Sequence, residues 1–297
     1  MNIFHYCSNS TFSSIIGTGK LRLSPLSESN DSGEGSYIAS VFSEMCDVAD
    51  IDPSLRDVSK VLVSTFKNST EGFGLCLSEV GDLLSQWRAY AKDGTGFSLG
   101  FSDEFLKQKF DNVFFGSKFF EVAKVCYDRS LLEEMLDPIV VRVASLSKEF
   151  GSFVKIKEKI SIEAAIRHFE DRETSLGFVF DPLVADAHVK MIVLLEVLSE
   201  MHFKIYNYKS PAFSEEREHR ILRHRQREHF DEIQYFSADD KIKPYIEVEL
   251  KGDAKNALVE VILGPKNRSN IDWVRAFLVS KGFGHVSVRK SFASSYR

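Results

Sequence analysis

The spacing of apolar and polar positions changes period several times along the chain. Residues 3–6 form a short apolar run that predicts a first strand. Residues 11–16 read as a short helix, capped by Ser10 or Thr11 and ended by Gly17-Thr18-Gly19. Leu21-Arg22-Leu23-Ser24 alternates as a half-buried strand does. Residues 25–36 carry the Ser, Asn, Asp, Glu and Gly of a loop, and residues 37–67 have helical spacing interrupted at Asp52-Pro53. A strand is expected over 74–78, then a helix over 83–91 with Asp82 as its N-cap. A turn at Asp93-Gly94-Thr95-Gly96 precedes a strand over 97–101, and another strand is expected over 119–127. From 131 to about 202 the pattern is mostly amphipathic helix, including 161–171 and 184–201. Strands return at 220–222, 245–250 and 259–263, followed by a helix over 271–281 and a last strand over 285–289.

Strands at both ends and helices between them predict one α+β domain over residues 1–297. Its core would be a mixed, mainly antiparallel sheet, and its middle a largely helical insertion at about 131–205. The sequence has no internal repeat and no low-complexity linker.

A composition of 43% apolar and 27% charged residues excludes a mostly disordered chain, and 25 phenylalanines predict a Phe-rich core. The net charge of −5 implies no chain-wide affinity for nucleic acid. Cys7, Cys46, Cys76 and Cys126 form no CxxC pair, which argues against zinc, and no metal is expected. They read as reduced, mostly buried thiols of a cytoplasmic protein. The segment Met1 to His5 lacks the pattern of a signal peptide. The longest apolar candidate, residues 189–201, carries Lys190, Glu196 and Glu200, so no membrane partner is expected.

Candidate chemistry is concentrated in a few places. Glu216, Glu218 and Arg220 would share one side of a strand, since alternate residues of an extended chain point the same way. Two carboxylates beside an arginine suit cleavage of an N-glycosidic bond, where positive charge develops on a sugar next to phosphates. The same row is equally the composition of a charged edge. His5 ends an apolar strand, as either a core residue or a ligand contact, and Tyr6 would face the other side as an anchor. Trp87 and Tyr90 lie three apart on a helix and share a face, either for packing or as a wall for a stacked base. Arg217, Arg220, Arg223, Arg225 and Arg227, with His219, His224 and His229, read as a hairpin or helix surface or as a phosphate contact. Gly264-Pro265-Lys266 reads as a turn.

The motifs together resemble the bacterial proteins grouped as domain-of-unknown-function family 2971 (DUF2971). They comprise His5-Tyr6, the Leu21 to Ser24 strand, and Asn30-Asp31-Ser32-Gly33-Glu34, which has serine where the family has proline. They continue with Ser78, Asp82, Leu84, Trp87, Tyr90, Gly96, Gly100 and Phe101. Phe213, Glu216, Glu218 and Arg220 follow, with phenylalanine where the family has tryptophan, and the last are Val261 to Lys266 and Ser291 to Tyr296. The opening is also similar, more distantly, to ADP-ribosyltransferase folds. That resemblance implies that His5 holds the nicotinamide-ribose end of NAD and that Ser24 supports it from the second strand. Glu216 or Glu218 would then stabilise the ribosyl cation. Tyr6, Asn30, Asp31, Trp87, Tyr90 and Arg220 complete the candidate binding set, with NAD as substrate.

The function expected from this resemblance is an NAD-dependent ADP-ribosyltransferase-like or NAD glycohydrolase-type effector, as a bacterial toxin or anti-phage defence protein. Its partners would be a protein or nucleic-acid target, or a regulatory partner of a defence system. The alternatives are a non-catalytic nucleotide- or protein-binding sensor or adaptor, and a nucleic-acid-binding effector using the arginine run.

Overall fold

The computed structural model describes residues 1–29, 33, 35–110, 120–150, 182–226, 233–238, 241–250 and 252–293. In chain order the elements are β1 (Asn2–Cys7), α1 (Asn9–Thr18), β2 (Lys20–Pro25), α2 (Tyr37–Val48), α3 (Pro53–Ser69) and β3 (Thr70–Ser78). Next come α4 (Leu84–Tyr90), β4 (Phe97–Ser102), α5 (Asp103–Phe110), β5 (Glu121–Lys124), α6 (Arg129–Phe150) and α7 (Pro182–His202). The chain closes with β6 (Glu218–Gln226), β7 (Gln234–Ala238), β8 (Lys241–Glu249), β9 (Leu258–Leu263), α8 (Ile271–Ser280) and β10 (Ser287–Lys290). The expected α+β class holds. The helix α5 and the strand β7 were not foreseen, and the expected helix at 161–171 lies outside the described residues.

The contacts divide the chain into two compact units, each built from separated segments. The first comprises Met1–Asn30, Glu71–Val125 and Ala212–Arg297. It contains an open mixed sheet of order β10-β9-β4-β1-β3-β2-β8-β7, with β6 beside β3 and β5 beside β6. The β9–β10 pair is parallel, while β1–β4, β2–β8, β4–β9, β5–β6 and β7–β8 are antiparallel. Alternation sets the faces. Leu21 and Leu23 of β2, Phe97, Leu99 and Phe101 of β4, and Leu75 and Leu77 of β3 enter one core, together with Phe12, Ile15 and Ile16 of α1. Phe12 stacks on Phe97 with centroids 3.9 Å apart. Each of these side chains contributes roughly 1.5–3 kcal/mol on burial.

The start of α1 corrects the expected cap. Ser8 is the N-cap, with its Oγ accepting from the Thr11 N–H at 3.1 Å. Gly19, at φ 66°, ends the helix as the expected Gly turn does, and its N–H donates to the Ile15 carbonyl. Phe4, on the other face of β1, lies against Gly100, where an added Cβ would come within 2.7 Å of the phenyl ring. The glycine of the Gly-x-x-x-Gly-Phe motif is therefore a packing requirement.

The second unit comprises Asp31–Thr70 and Cys126–Pro211, and its described elements are α2, α3, α6 and α7. Asp52 explains the interruption in the first helical stretch. Its Oδ1 accepts from the N–H groups of Ser54 and Leu55, and Pro53 occupies the first helical position. Ile38, Val41, Phe42 and Cys46 on α2, and Leu132, Leu136, Ile139, Val143 and Leu146 on α6, form the buried stripes expected of amphipathic helices. Among the described residues no helix is long and apolar enough to cross a membrane.

His202 closes α7 with its ring edge against Phe66, centroids 5.1 Å apart. Burial lowers its pKa to about 4. The unfolded chain binds this proton near pH 6.5 and the folded chain only near 4, so the stability contributed is complete above 6.5 and is lost as pH falls toward 4. Urea denaturation at pH 7.5 and pH 4 tests this. Wild type is expected to lose up to about 3 kcal/mol more on acidification than a His202→Phe variant.

Candidate functional site

β3 carries the centre of the site. Ser24 of β2 pairs with Gly74, and Phe4 of β1 pairs with Ser78. Leu75 and Leu77 face the core, so Cys76 and Ser78 share the opposite face with Gly74 and its partner Ser24. Cys76 is exposed, unlike the buried Cys7 and Cys46, and Cys126 is half-buried. The expectation of mostly buried thiols is corrected accordingly.

Past the Phe4–Ser78 pair, the His5 imidazole reaches β3 and places Nδ1 3.0 Å from the Cys76 carbonyl oxygen. A carbonyl only accepts, so Nδ1 carries the hydrogen. Burial lowers the His5 pKa, against the smaller opposing effect of this bond. The ring is therefore neutral near pH 7, and its Nε2 is an acceptor.

Tyr6 points to the other side of β1, as expected for an anchor. Its hydroxyl donates to the Val80 carbonyl at 2.7 Å and accepts from the Leu83 N–H at 2.9 Å, which fixes the loop before α4. Its ring meets Trp87 edge-on at 4.8 Å. Trp87 is fully buried and its indole donates to Asp82 at 2.7 Å. Asp82 is not the helix cap: Leu83 holds that position and no side chain caps it. Instead its carboxylate accepts from Trp87, Ser291 Oγ at 2.6 Å, the Phe292 N–H at 2.7 Å and Arg289. Burial opposes ionisation, but these donors outweigh it and hold the Asp82 pKa below its ordinary value.

One turn beyond Trp87, Tyr90 is partly exposed at 39% and donates to Glu216 Oε1 at 2.9 Å. Burial, and next the Glu216 charge, push its phenol far above the ordinary value, so it remains a donor throughout the physiological range. The charges of Cys76 and Glu218 also act on Tyr90. Glu216 lies at the end of a 3-10 turn, Pro211–Glu216, with its carbonyl accepting from Ser78 Oγ at 2.8 Å. Arg217 follows at φ 43°, a left-handed conformation rare outside glycine. β6 then begins at Glu218.

The expected row of three side chains is therefore broken. Glu216 lies outside the strand, while Glu218 and Arg220 pair on it through bonds of 2.7 and 2.9 Å from Nε and Nη2. Arg220, Arg223 and Arg225 are only 0%, 2% and 9% exposed, so this part of the basic run is not a hairpin or helix surface. Arg223 lies over the Phe120 ring at 5.1 Å. His219 and Lys124 both meet Glu79, at 3.1 and 2.7 Å. Arg227, His229, Asn30 and Asp31 lie outside the described residues. Among the described residues no group of three or more His, Cys, Asp and Glu side chains is placed to hold a metal ion.

The structure joins Tyr90 to Glu216 and Glu216 to Ser78, places Ser24, Cys76 and Ser78 on one face of β2 and β3, and holds the His5 ring on the Cys76 carbonyl from the core side of β1. It sets Glu218 and Arg220 into a buried pair and makes Tyr6 and Trp87 supports. Cys76, Ser78 and the true partners of Asp82 were missed. The alternation of Leu75-Cys76-Leu77-Ser78 held the signal for the first two.

The fold is that of an α+β protein with an open mixed sheet bearing a polar site on β3, α4 and the approach to β6. Residues 86–221 match the model of the family described as "Protein of unknown function (DUF2971)", and over this segment the chain is similar to that family. The matched segment contains Trp87, Tyr90, Glu216, Glu218 and Arg220 and leaves His5, Tyr6 and Ser24 outside. No curated protein and no solved structure matches the chain.

The two glutamates are expected to differ sharply on mutation. Glu218→Gln leaves the buried Arg220 charge poorly compensated and is expected to cost about 3 kcal/mol in urea denaturation. Glu216→Gln, at a half-buried turn whose backbone contacts it retains, is expected to change stability by less than about 1 kcal/mol.

Proposed function

We propose that the protein is an NAD-consuming enzyme of the ADP-ribosyltransferase or NAD glycohydrolase type, acting in the cytoplasm as a toxin-like or anti-phage effector. The observation that carries this reading is the Tyr90–Glu216 pair beside the polar face of β3. Tyr90 donates to Glu216 Oε1 at 2.9 Å, and Ser78 Oγ holds the Glu216 carbonyl at 2.8 Å. His5 and either Glu216 or Glu218 are the residues to which the resemblance assigns the ribose.

In this reading Glu216, rather than Glu218, is the catalytic carboxylate. Glu218 is occupied by Arg220 in a buried pair. Glu216 accepts from the neutral Tyr90 phenol, and its charge can oppose the positive charge that develops on the ribosyl carbon as nicotinamide leaves. Tyr90, a permanent donor, orients that carboxylate. The left-handed Arg217 sets the direction of Glu216, and such backbone strain is concentrated at functional sites.

Purified protein incubated with NAD, with and without cell lysate, is expected to release nicotinamide by chromatography. Glu216→Gln is expected to lower the rate at least about a hundredfold at unchanged stability, and Tyr90→Phe about tenfold. Absence of release under both conditions, with no NAD binding by calorimetry, would instead favour the sensor or adaptor reading.

A further inference from the structure

The motif at the C-terminal end, beginning at Ser291, has no part in the chemistry above, yet it converges on the loop that precedes α4. Ser291 is 6% exposed, and its backbone N–H donates to the Leu263 carbonyl of β9 at 2.8 Å, so it is held by the sheet. Its hydroxyl donates to Asp82 Oδ1 while accepting from the Ala293 N–H at 3.0 Å. The Phe292 N–H takes Oδ2 of the same carboxylate. Arg289 approaches Oδ2 at 3.4 Å while bonded to Glu260 at 2.7 Å, and lies over the Phe292 ring at 4.7 Å. Oδ1 also takes the Trp87 indole N–H.

We propose that Ser291, Phe292 and Asp82 form a clamp that positions Tyr90 against Glu216. The helix α4 has seven residues, fewer than sustain a helix without tertiary support. Its placement rests on Tyr6 at the entering loop and on Trp87 in the middle, and Trp87 is oriented by Asp82. Tyr90 is one turn further, so rotation of the indole is carried to the phenol. The C-terminal residues are thus positioning residues of the site, acting through Asp82 and Trp87 and never touching substrate. Threonine at 291 keeps the hydroxyl and the clamp, whereas alanine removes it. The proposal deepens the reading of Tyr90 and Glu216 as the reacting pair.

The test does not depend on the substrate. Protein with 13Cζ-labelled tyrosine is compared by NMR at neutral pH, with Tyr90 assigned by Tyr90→Phe. Glu216→Gln supplies the shift that accompanies loss of the carboxylate partner. Ser291→Ala and Asp82→Asn are expected to move the Tyr90 resonance in the same direction, and Ser291→Thr to leave it in place. In the nicotinamide assay Ser291→Ala is expected to lower kcat about tenfold with KM within twofold, and Ser291→Thr to restore it. A Tyr90 resonance that moves in Glu216→Gln but not in Ser291→Ala overturns the clamp, even if NAD is consumed. The expected shifts without NAD consumption keep the clamp and refute the enzymatic reading. Ser291→Ala removes one hydroxyl and keeps the test decisive should Asp82→Asn fail to fold.

Discussion

A strand has two edges, and β3 must serve three neighbours with them. It pairs with β1 at Ser78, with β2 at Phe73 and Gly74, and with β6. Where β1 and β3 cease to match, a side chain substitutes for the ladder, and the His5 imidazole takes the Cys76 carbonyl. The site follows from that substitution. This face of β3 exposes Cys76, the buried Ser78 secures the backbone of Glu216, and the chain enters β6 through the left-handed Arg217.

The regular parts of this arrangement were legible because each depends on neighbours in sequence. Leu21-Arg22-Leu23-Ser24 and Phe97 to Phe101 alternate because one face of each strand meets the core. Asp52-Pro53 interrupts a helical stretch because it starts a new helix. The errors occurred where distant residues decide. Asp82 has the composition of an N-cap, yet its donors at positions 291 and 292 were invisible to any local pattern. Glu216, Glu218 and Arg220 have strand spacing, but spacing fixes direction only in extended backbone, and Arg217 is not extended. Arg220, expected either on a charged surface or against phosphate, is instead buried with its bidentate partner two residues back.

That pair also separates two roles that the sequence leaves equivalent. A carboxylate facing a buried guanidinium cannot be spared without leaving a charge in a poor solvent. Glu218 is thereby committed to the fold. Glu216 is held by its backbone and accepts from the neutral Tyr90 phenol. The two glutamates of the Glu-x-Glu motif thus have different surroundings, one facing a buried guanidinium and the other a partly exposed phenol.

The bond from Phe292 to Asp82 spans 210 residues of chain. At roughly 5–20 residues per second, ribosomal synthesis separates the two by about 10–40 s. Through that interval α4 and its tyrosine have been made, but the groups that hold them have not. The nascent polypeptide therefore carries an unassembled site past every cellular component it meets during translation. The contacts that hold α4 can form only once Ser291 and Phe292 have been made.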